Sequence, residues 1–203
     1  MLSLPGVTLV AVTDINIEAH QYALDLSCRG IEFGDVQLLT PKLGSIEEWN
    51  RFIVYDLGDY IDTEHALLIH DDGFVVHPQS WDPAWLMFDY IGSPFPLPTD
   101  DYSYRDVNGK VQRVGNSVSL RSKHLLQLAK KENFEWKPFY GFTNEDGYVS
   151  VNMRHAYEEE GCVFAPFEQA VRFGREVPLP ENQGIKPFVF HKWEGENAKY
   201  PKL

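Results

Sequence analysis

The chain reads as an α/β protein whose central sheet is largely parallel at its start. Three observations carry that expectation. Through His70, apolar runs alternate with amphipathic ones in a β-α-β-α-β order, the pattern of parallel strands joined by crossover helices. GVTLVAV, Gly6 to Val12, is continuously apolar and rich in β-branched residues, as in a strand buried on both faces. His65 to His70 is a further apolar run that ends in Asp71-Asp72-Gly73, a turn signal.

The elements follow in order. After the first strand, Asn16 is placed to cap a helix from Ile17 to Cys28, with Gly30 to terminate it. Val36 to Leu39 is a short second strand. Ser45 and Glu48 form a capping box that opens a helix through Phe52. The strand at His65 to His70 comes next. Residues 93–110 are rich in Pro, Asp and Tyr and read as a long loop ending in an Asn-Gly turn, and a loop of that length is often functional. VGNSVSLRS then leads to a helix from Ser122 to Lys131. Another loop brings the chain to a helix from Glu145 to Glu159. FAPFEQAVRFGRE predicts a shorter helix and KPFVFHKW a terminal strand. No repeat, low-complexity segment or dividing linker interrupts residues 1–203, so one domain is expected.

Composition excludes several classes of partner. No apolar run approaches the ~20 residues of a membrane span, and the N-terminus lacks the basic region of a signal peptide. Only Cys28 and Cys162 are present, so neither a disulfide framework nor a four-thiolate zinc site is available, and a cytosolic setting fits. The net charge of −12, from 30 acidic against 18 basic side chains, argues against nucleic acid or an anionic membrane surface as a main partner. It leaves the oligomeric state open. Between Arg51 and Arg105 there is no Lys or Arg, yet ten Asp and Glu fall there. Such a stretch is either solvated surface or a place for a hard divalent cation, whose preferred ligands are oxygens.

Asp71-Asp72-Gly73 is first of all a tight turn. Carboxylates at the C-terminal end of a buried strand also meet the crevice where open α/β sheets place their ligands. The two readings coexist, because Gly73 lets a ligand approach the backbone. Asn144-Glu145-Asp146-Gly147 is ambiguous in the same way. Acidic residues in a first helical turn complement the helix dipole, and one that points into a pocket serves as a general base that the dipole keeps ionised. His191, after three apolar residues, reads more readily as packing than as a ligand.

Taken in order, the Asp-Gly after an apolar strand, SWDPAWLMFDYIGSPF, VGNSVSLRS, NEDGYVS, APFEQAVRFGRE and FVFH resemble the DUF5672 family, glycosyltransferase-like proteins of GT-A fold. The resemblance runs from about Val7 to His191. It implies a single Rossmann-type domain with a mixed, mostly parallel sheet flanked by helices. It also implies transfer of a sugar from a nucleotide-diphosphate donor to a hydroxyl of a glycan or glycolipid acceptor, at a cytosolic site or at a membrane periphery reached through the acceptor or a partner.

Carried over residue by residue, the family's acidic metal motif falls on His70-Asp71-Asp72, in a reduced form in which His70 replaces the usual first Asp. Asp72 is then the Mn2+ or Mg2+ ligand, His191 completes the metal shell, and His70 and Asp71 contact the donor. The end of the first strand, Val12-Thr13-Asp14, receives the nucleotide. Gly115-Asn116 lines the sugar pocket, although Gly-Asn is also an ordinary turn. Arg121 and Lys192 assist the phosphates. Glu145-Asp146 resembles the element that supplies the base of inverting enzymes, with Asp146 taking the acceptor proton. Trp81, Trp85 and Tyr90 offer faces to an acceptor sugar, with core packing the stronger reading for at least two of them. Two rival readings stand beside this one: a nucleotidyltransferase, whose glycine-rich basic loop Thr13-Asp14-Ile15-Asn16 does not supply, and a non-catalytic sugar-binding or assembly module.

Overall fold

The structure, a computed structural model, describes residues 1–137 and 144–192. Five strands form the central sheet in the order β2-β1-β3-β5-β4. They are β1 (Leu2–Val12), β2 (Ile31–Leu39), β3 (His65–Ile69), β4 (Tyr90–Pro94) and β5 (Val114–Ser122). β1 pairs in parallel with both β2 and β3, while β5 runs antiparallel to β3 and β4. Four strands therefore share one direction and β5 is reversed.

The parallel half follows the sequence reading. β3 is buried at every position, and β1 is buried from Val7 onward, as a sheet covered on both faces requires. α1 (Ile17–Ser27) connects β1 to β2, and Gly30 adopts a positive φ behind it. Asn16, however, does not cap α1 with its side chain. It sits in the left-handed region at φ 51°, where its short polar side chain is tolerated. β2 begins at Ile31, earlier than its apolar residues suggest, because Gly34 lies so close to Pro5 that any Cβ there would strike its carbonyl oxygen.

Ser45 caps α2 (Ile46–Arg51) by accepting from the Glu48 amide at 3.2 Å. The Glu48 carboxylate completes the turn on Gly44 at 2.6 Å. The chain then widens into a π-helical turn, Phe52–Asp56, so this helical segment outruns its expected end. α3 (Lys123–Lys131) is capped by Ser122. α4 (Glu145–Gly147) runs into a second π-helical turn, Tyr148–Asn152, before α5 (Arg154–Glu159); the expected single helix breaks at Met153. Residues 138–143, in the loop before Asn144, and Trp193 at the end of the expected last strand lie outside the described residues.

α6 (Phe167–Phe173) is followed by a small parallel pair, β6 (Gly174–Arg175) and β7 (Val189–Phe190). β7 also bridges Val75, so the apolar run after Gly73 pairs with the end of the chain instead of returning along β3. Asp71-Asp72 is thus a two-residue turn, closed by reciprocal bonds between His70 and Gly73, but not the loop of an extended hairpin.

Gly115-Asn116 likewise lies inside β5 and not in a turn. Asn116 has φ 82° next to an irregularity in the β4–β5 register. Trp85 and Tyr90 are fully buried and present no face to a ligand, whereas Trp81 is partly buried and packs against the core. No helix among the described residues is long and apolar enough to cross a membrane.

Candidate active site

The site lies where β1 and β3 end side by side. Register pairs Ala11 with Ile69, so Val12-Thr13-Asp14 and His70-Asp71-Asp72 leave the sheet together. The Trp49 indole donates to the Val12 carbonyl at 2.7 Å, and its ring lies 5.3 Å from that of His70. Asp14 accepts from the Leu43 amide at 3.1 Å, which ties the segment after β2 to the end of β1. Asp71 faces His20 on α1 at 3.8 Å.

Asp72 and His191 are brought together, although 118 intervening positions separate them in the sequence. His191 Nε2 lies 3.4 Å from Asp72 Oδ1, and the Lys192 amide donates to the Asp72 carbonyl at 2.9 Å. The His191 ring stacks on His70, with centroids 5.2 Å apart and planes at 24°. Gly73 makes this possible, since a Cβ there would fall 2.7 Å from His191 and 2.6 Å from Val118. Burial pushes the Asp72 carboxyl up, but the His191 hydrogen bond and charge outweigh it and hold the group below its ordinary range. Burial and the neighbouring His191 keep His70 neutral, its pKa well below the ordinary value.

Behind the turn runs a buried polar chain. Arg121 and Glu145 are each 1% exposed and paired at 2.6 Å. Glu145 also accepts from the Ser117 hydroxyl, and Ser117 Oγ lies 2.8 Å from His70 Nε2. An ion-paired carboxylate only accepts, so Ser117 donates to Glu145 and takes a hydrogen bond from His70 Nε2–H. This places the proton of neutral His70 on Nε2. Arg121 is consequently not a phosphate contact, and Glu145 does not share the catalytic position with Asp146. Both are sealed under the site, because an arginine on a central strand is held there by a buried carboxylate.

Asp146 has a different environment from its neighbour. It lines a cavity of about 500 Å³ with Phe95, Tyr102, Tyr104, Glu176 and Lys192. Burial and the nearby Glu145 and Glu176 raise its pKa from 3.8 to about 6. The helix start therefore does not keep the Asp146 carboxyl in its ordinary range, although the group stays mostly ionised near neutral pH. Glu176 was not singled out by any local pattern, yet it joins both sides of the site. It accepts from Asn116 Nδ2 at 2.7 Å and Lys192 Nζ at 2.7 Å, and lies 3.8 Å from His191 Nδ1. Asn116 is 1% exposed, and its other polar atom accepts from the Val118 amide, so it braces Glu176 and is itself shielded from a ligand.

Among the described residues no group of three or more His, Cys, Asp and Glu is gathered as a metal site. Asp72 and His191 are nevertheless near enough for both to reach one ion through bonds of about 2.1 Å. A carboxylate with an imidazole suits manganese, and magnesium accepts one or two carboxylates with the rest of its shell from phosphate and water. The residues present thus fit an ion that a diphosphate helps to hold.

Comparison with curated proteins returns no match. Among solved structures, the chain is similar to a glycosyltransferase involved in the glycosylation of the major capsid of PBCV-1. The two share 13% identity over 95% of each chain, with a TM-score of 0.58. It is also similar to the galactosyltransferase LgtC, solved in complex with donor and acceptor sugar analogs, at 14% identity over 96% of this chain and 92% of that one, with a TM-score of 0.54. These likenesses establish the fold: a mixed α/β, mostly parallel sheet flanked by helices, of the GT-A type. With residues 36–191 matching the family model described as a protein of unknown function, the chain belongs to the DUF5672 family.

Proposed function

We propose that this protein is a metal-dependent glycosyltransferase that moves a sugar from a nucleotide-diphosphate donor to a hydroxyl of a glycan or glycoconjugate, with inversion. One observation carries the reading. Asp146 lines a cavity, two of whose other lining residues, Glu176 and Lys192, are bonded or closely apposed to the Asp72–His191 pair.

In this reading the nucleotide rests against Val12-Thr13-Asp14, and the turn His70-Asp71-Asp72 faces the diphosphate. Asp72 and His191 hold Mn2+ or Mg2+, which supplies positive charge to the diphosphate leaving group. Lys192 adds a cation beside Glu176. Asp146 takes the proton from the acceptor hydroxyl as that oxygen attacks the anomeric carbon. The bond from that carbon to the diphosphate breaks, and the nucleotide departs with the electron pair. A pKa of about 6 suits a base working near neutral pH: it is ionised there yet retains affinity for a proton.

The test combines two variants with a panel of nucleotide sugars and acceptors in manganese. Asp72→Ala is expected to abolish metal-dependent nucleotide binding. Asp146→Ala is expected to bind nucleotide normally while transfer, read as nucleotide release, falls by ~10²–10⁴. Equal loss of nucleotide binding in both variants would refute the division of roles. Metal-dependent binding with no turnover across the panel would favour a sugar-nucleotide-binding module instead.

A further inference from the structure

The cavity beside Asp146 has its own chemistry. One wall is the segment between β4 and β5, and this segment is pinned throughout. Phe95 bonds the Arg113 carbonyl through its amide at 3.0 Å, and its own carbonyl accepts from Arg113 Nε at 3.1 Å. The Arg113 guanidinium stacks over Phe167 at 3.9 Å. The Asn108-Gly109 turn is closed by Asp106, which accepts from the amides of Asn108 and Lys110 and from Gln112. The wall is therefore pre-organised, as a binding surface on a loop needs to be.

Two details of this wall bear on the cavity. Tyr104 adopts φ 55°, a left-handed conformation that a bulky residue takes only when its surroundings impose it, and such strain clusters at ligand clamps. Its ring stacks on Phe95, with centroids 4.4 Å apart and planes at 17°. Phe95 in turn lies over Gly115, where a Cβ would fall 2.0 Å from the ring. The glycine inside β5 thus makes room for a stacked aromatic pair at the cavity. The charge at the cavity is also one-sided. Asp146 and Glu176 face a single described cation, Lys192, already bound to Glu176 at 2.7 Å. Burial, followed by the charges of Glu176 and Asp146, raises the pKa of Tyr104, in keeping with a negative interior.

We infer that this cavity is the acceptor subsite, that it takes an uncharged pyranose with one face laid on Tyr104, and that it rejects sugars bearing carboxylate or phosphate. This rests on the reading of Asp146 as the transfer base. The negative face of an aromatic ring attracts the weakly positive C–H face of a pyranose. Ser103, Asn144 and Asn152 on the lining provide hydrogen-bonding partners for its hydroxyls. An anionic sugar would enter against two carboxylates, and the one cation among the described lining residues is already paired with Glu176.

The experiment is ligand-observed NMR on the full chain at pH 7.5. The probes are methyl glycosides of neutral hexoses and N-acetylhexosamines, methyl hexuronides and hexose 6-phosphates. Neutral glycosides are expected to bind, with the charged ones at least tenfold weaker. Saturation should be strongest at protons on one face of the ring. Tyr104→Phe should bind within twofold of wild type, whereas Tyr104→Leu, which keeps an apolar partner for Phe95, should bind at least fivefold more weakly. Charged sugars binding as well as neutral ones, uniform saturation around the ring, or full binding by Tyr104→Leu would overturn the inference. The saturation pattern, read on wild type, decides the matter should Tyr104→Leu not fold. Nucleotide binding is followed separately, as the shift in melting of wild type with UDP or GDP and manganese. Glycoside binding without nucleotide binding removes the transferase reading and leaves a sugar site. Nucleotide binding with no glycoside bound removes this subsite alone.

Discussion

At the scale of single residues, the contrast between Glu145 and Asp146 is the most informative. Adjacent in sequence, one carboxylate is neutralised by Arg121 in the core and the other is left at a cavity with its proton held to about pH 6. That has a consequence for stability. The unfolded chain gives up this proton near 3.8 and the folded chain near 6, so the folded state binds more protons between those values. Stability therefore falls as pH rises through that window, and the deficit persists above it. Asp146→Asn should stabilise the fold at pH 7.5 by at most about 3 kcal/mol, at ~1.4 kcal/mol per pH unit of separation, and so raise the thermal midpoint, while transfer is lost. In wild type, transfer should decline as pH drops through about 6. A melting curve that does not rise in the Asn variant, or a rate flat from pH 5 to 7, would contradict the assignment. The division of roles between the two neighbours is not visible locally, because what separates them is the Arg121 partner supplied by β5.

At the scale of elements, the turn Asp71-Asp72-Gly73 does more than reverse the chain. Its glycine lets the segment after β7 lie against it. Gly73→Ala would drive a methyl into Val118 and His191. Overpacking of this kind costs about 1–3 kcal/mol, a fall in melting temperature of about 2–4 °C per kcal/mol for a chain of this size. Manganese-dependent nucleotide binding, measured by calorimetry, should weaken more than the melting change alone would suggest, because His191 moves. Unchanged binding would show that His191 is not a ligand.

The elements also differ in how far sequence alone reveals them. β1, β3, α1 and α3 carry their burial in their own apolar spacing and are legible. β4 and β5 are not: β5 places Asn116 and Arg121 inside, where their partners Glu176 and Glu145 come from other segments, with Ser119 bonded to Arg121 along the strand. Local pattern also suggests one helix from Glu145 to Glu159, and the chain instead uses a π-helical turn, a device common beside functional sites. The acidic turn and Asp146 were legible as candidates. Glu176 and Tyr104 were not, since nothing adjacent to them in sequence marks a residue that acts through contacts with β5 and β7.

At the scale of the whole molecule, a chain of net charge −12 would take up an anionic donor against its own field. Under the proposed reading, a divalent ion held by Asp72 and His191 would offset that locally. A melting panel of nucleoside diphosphates should thus show stabilisation only with manganese or magnesium, reaching about 2.7 kcal/mol at a hundredfold excess over the dissociation constant. Equal shifts with and without metal would place the source of positive charge elsewhere.

The seating of β7 between Val75 and β6 carries one more consequence, for the order in which the protein acquires its parts. His191 and Lys192 are held at the turn by Phe188 and Phe190, which are buried in the core beside Trp85, Phe173 and Phe74. Closing that loop, from residue 73 to residue 191, is among the longest-range events in the fold and so among those slowest to form. A chain with its sheet paired but this loop still open would present Asp72 without His191, so under the proposed reading it would lack half of its metal site.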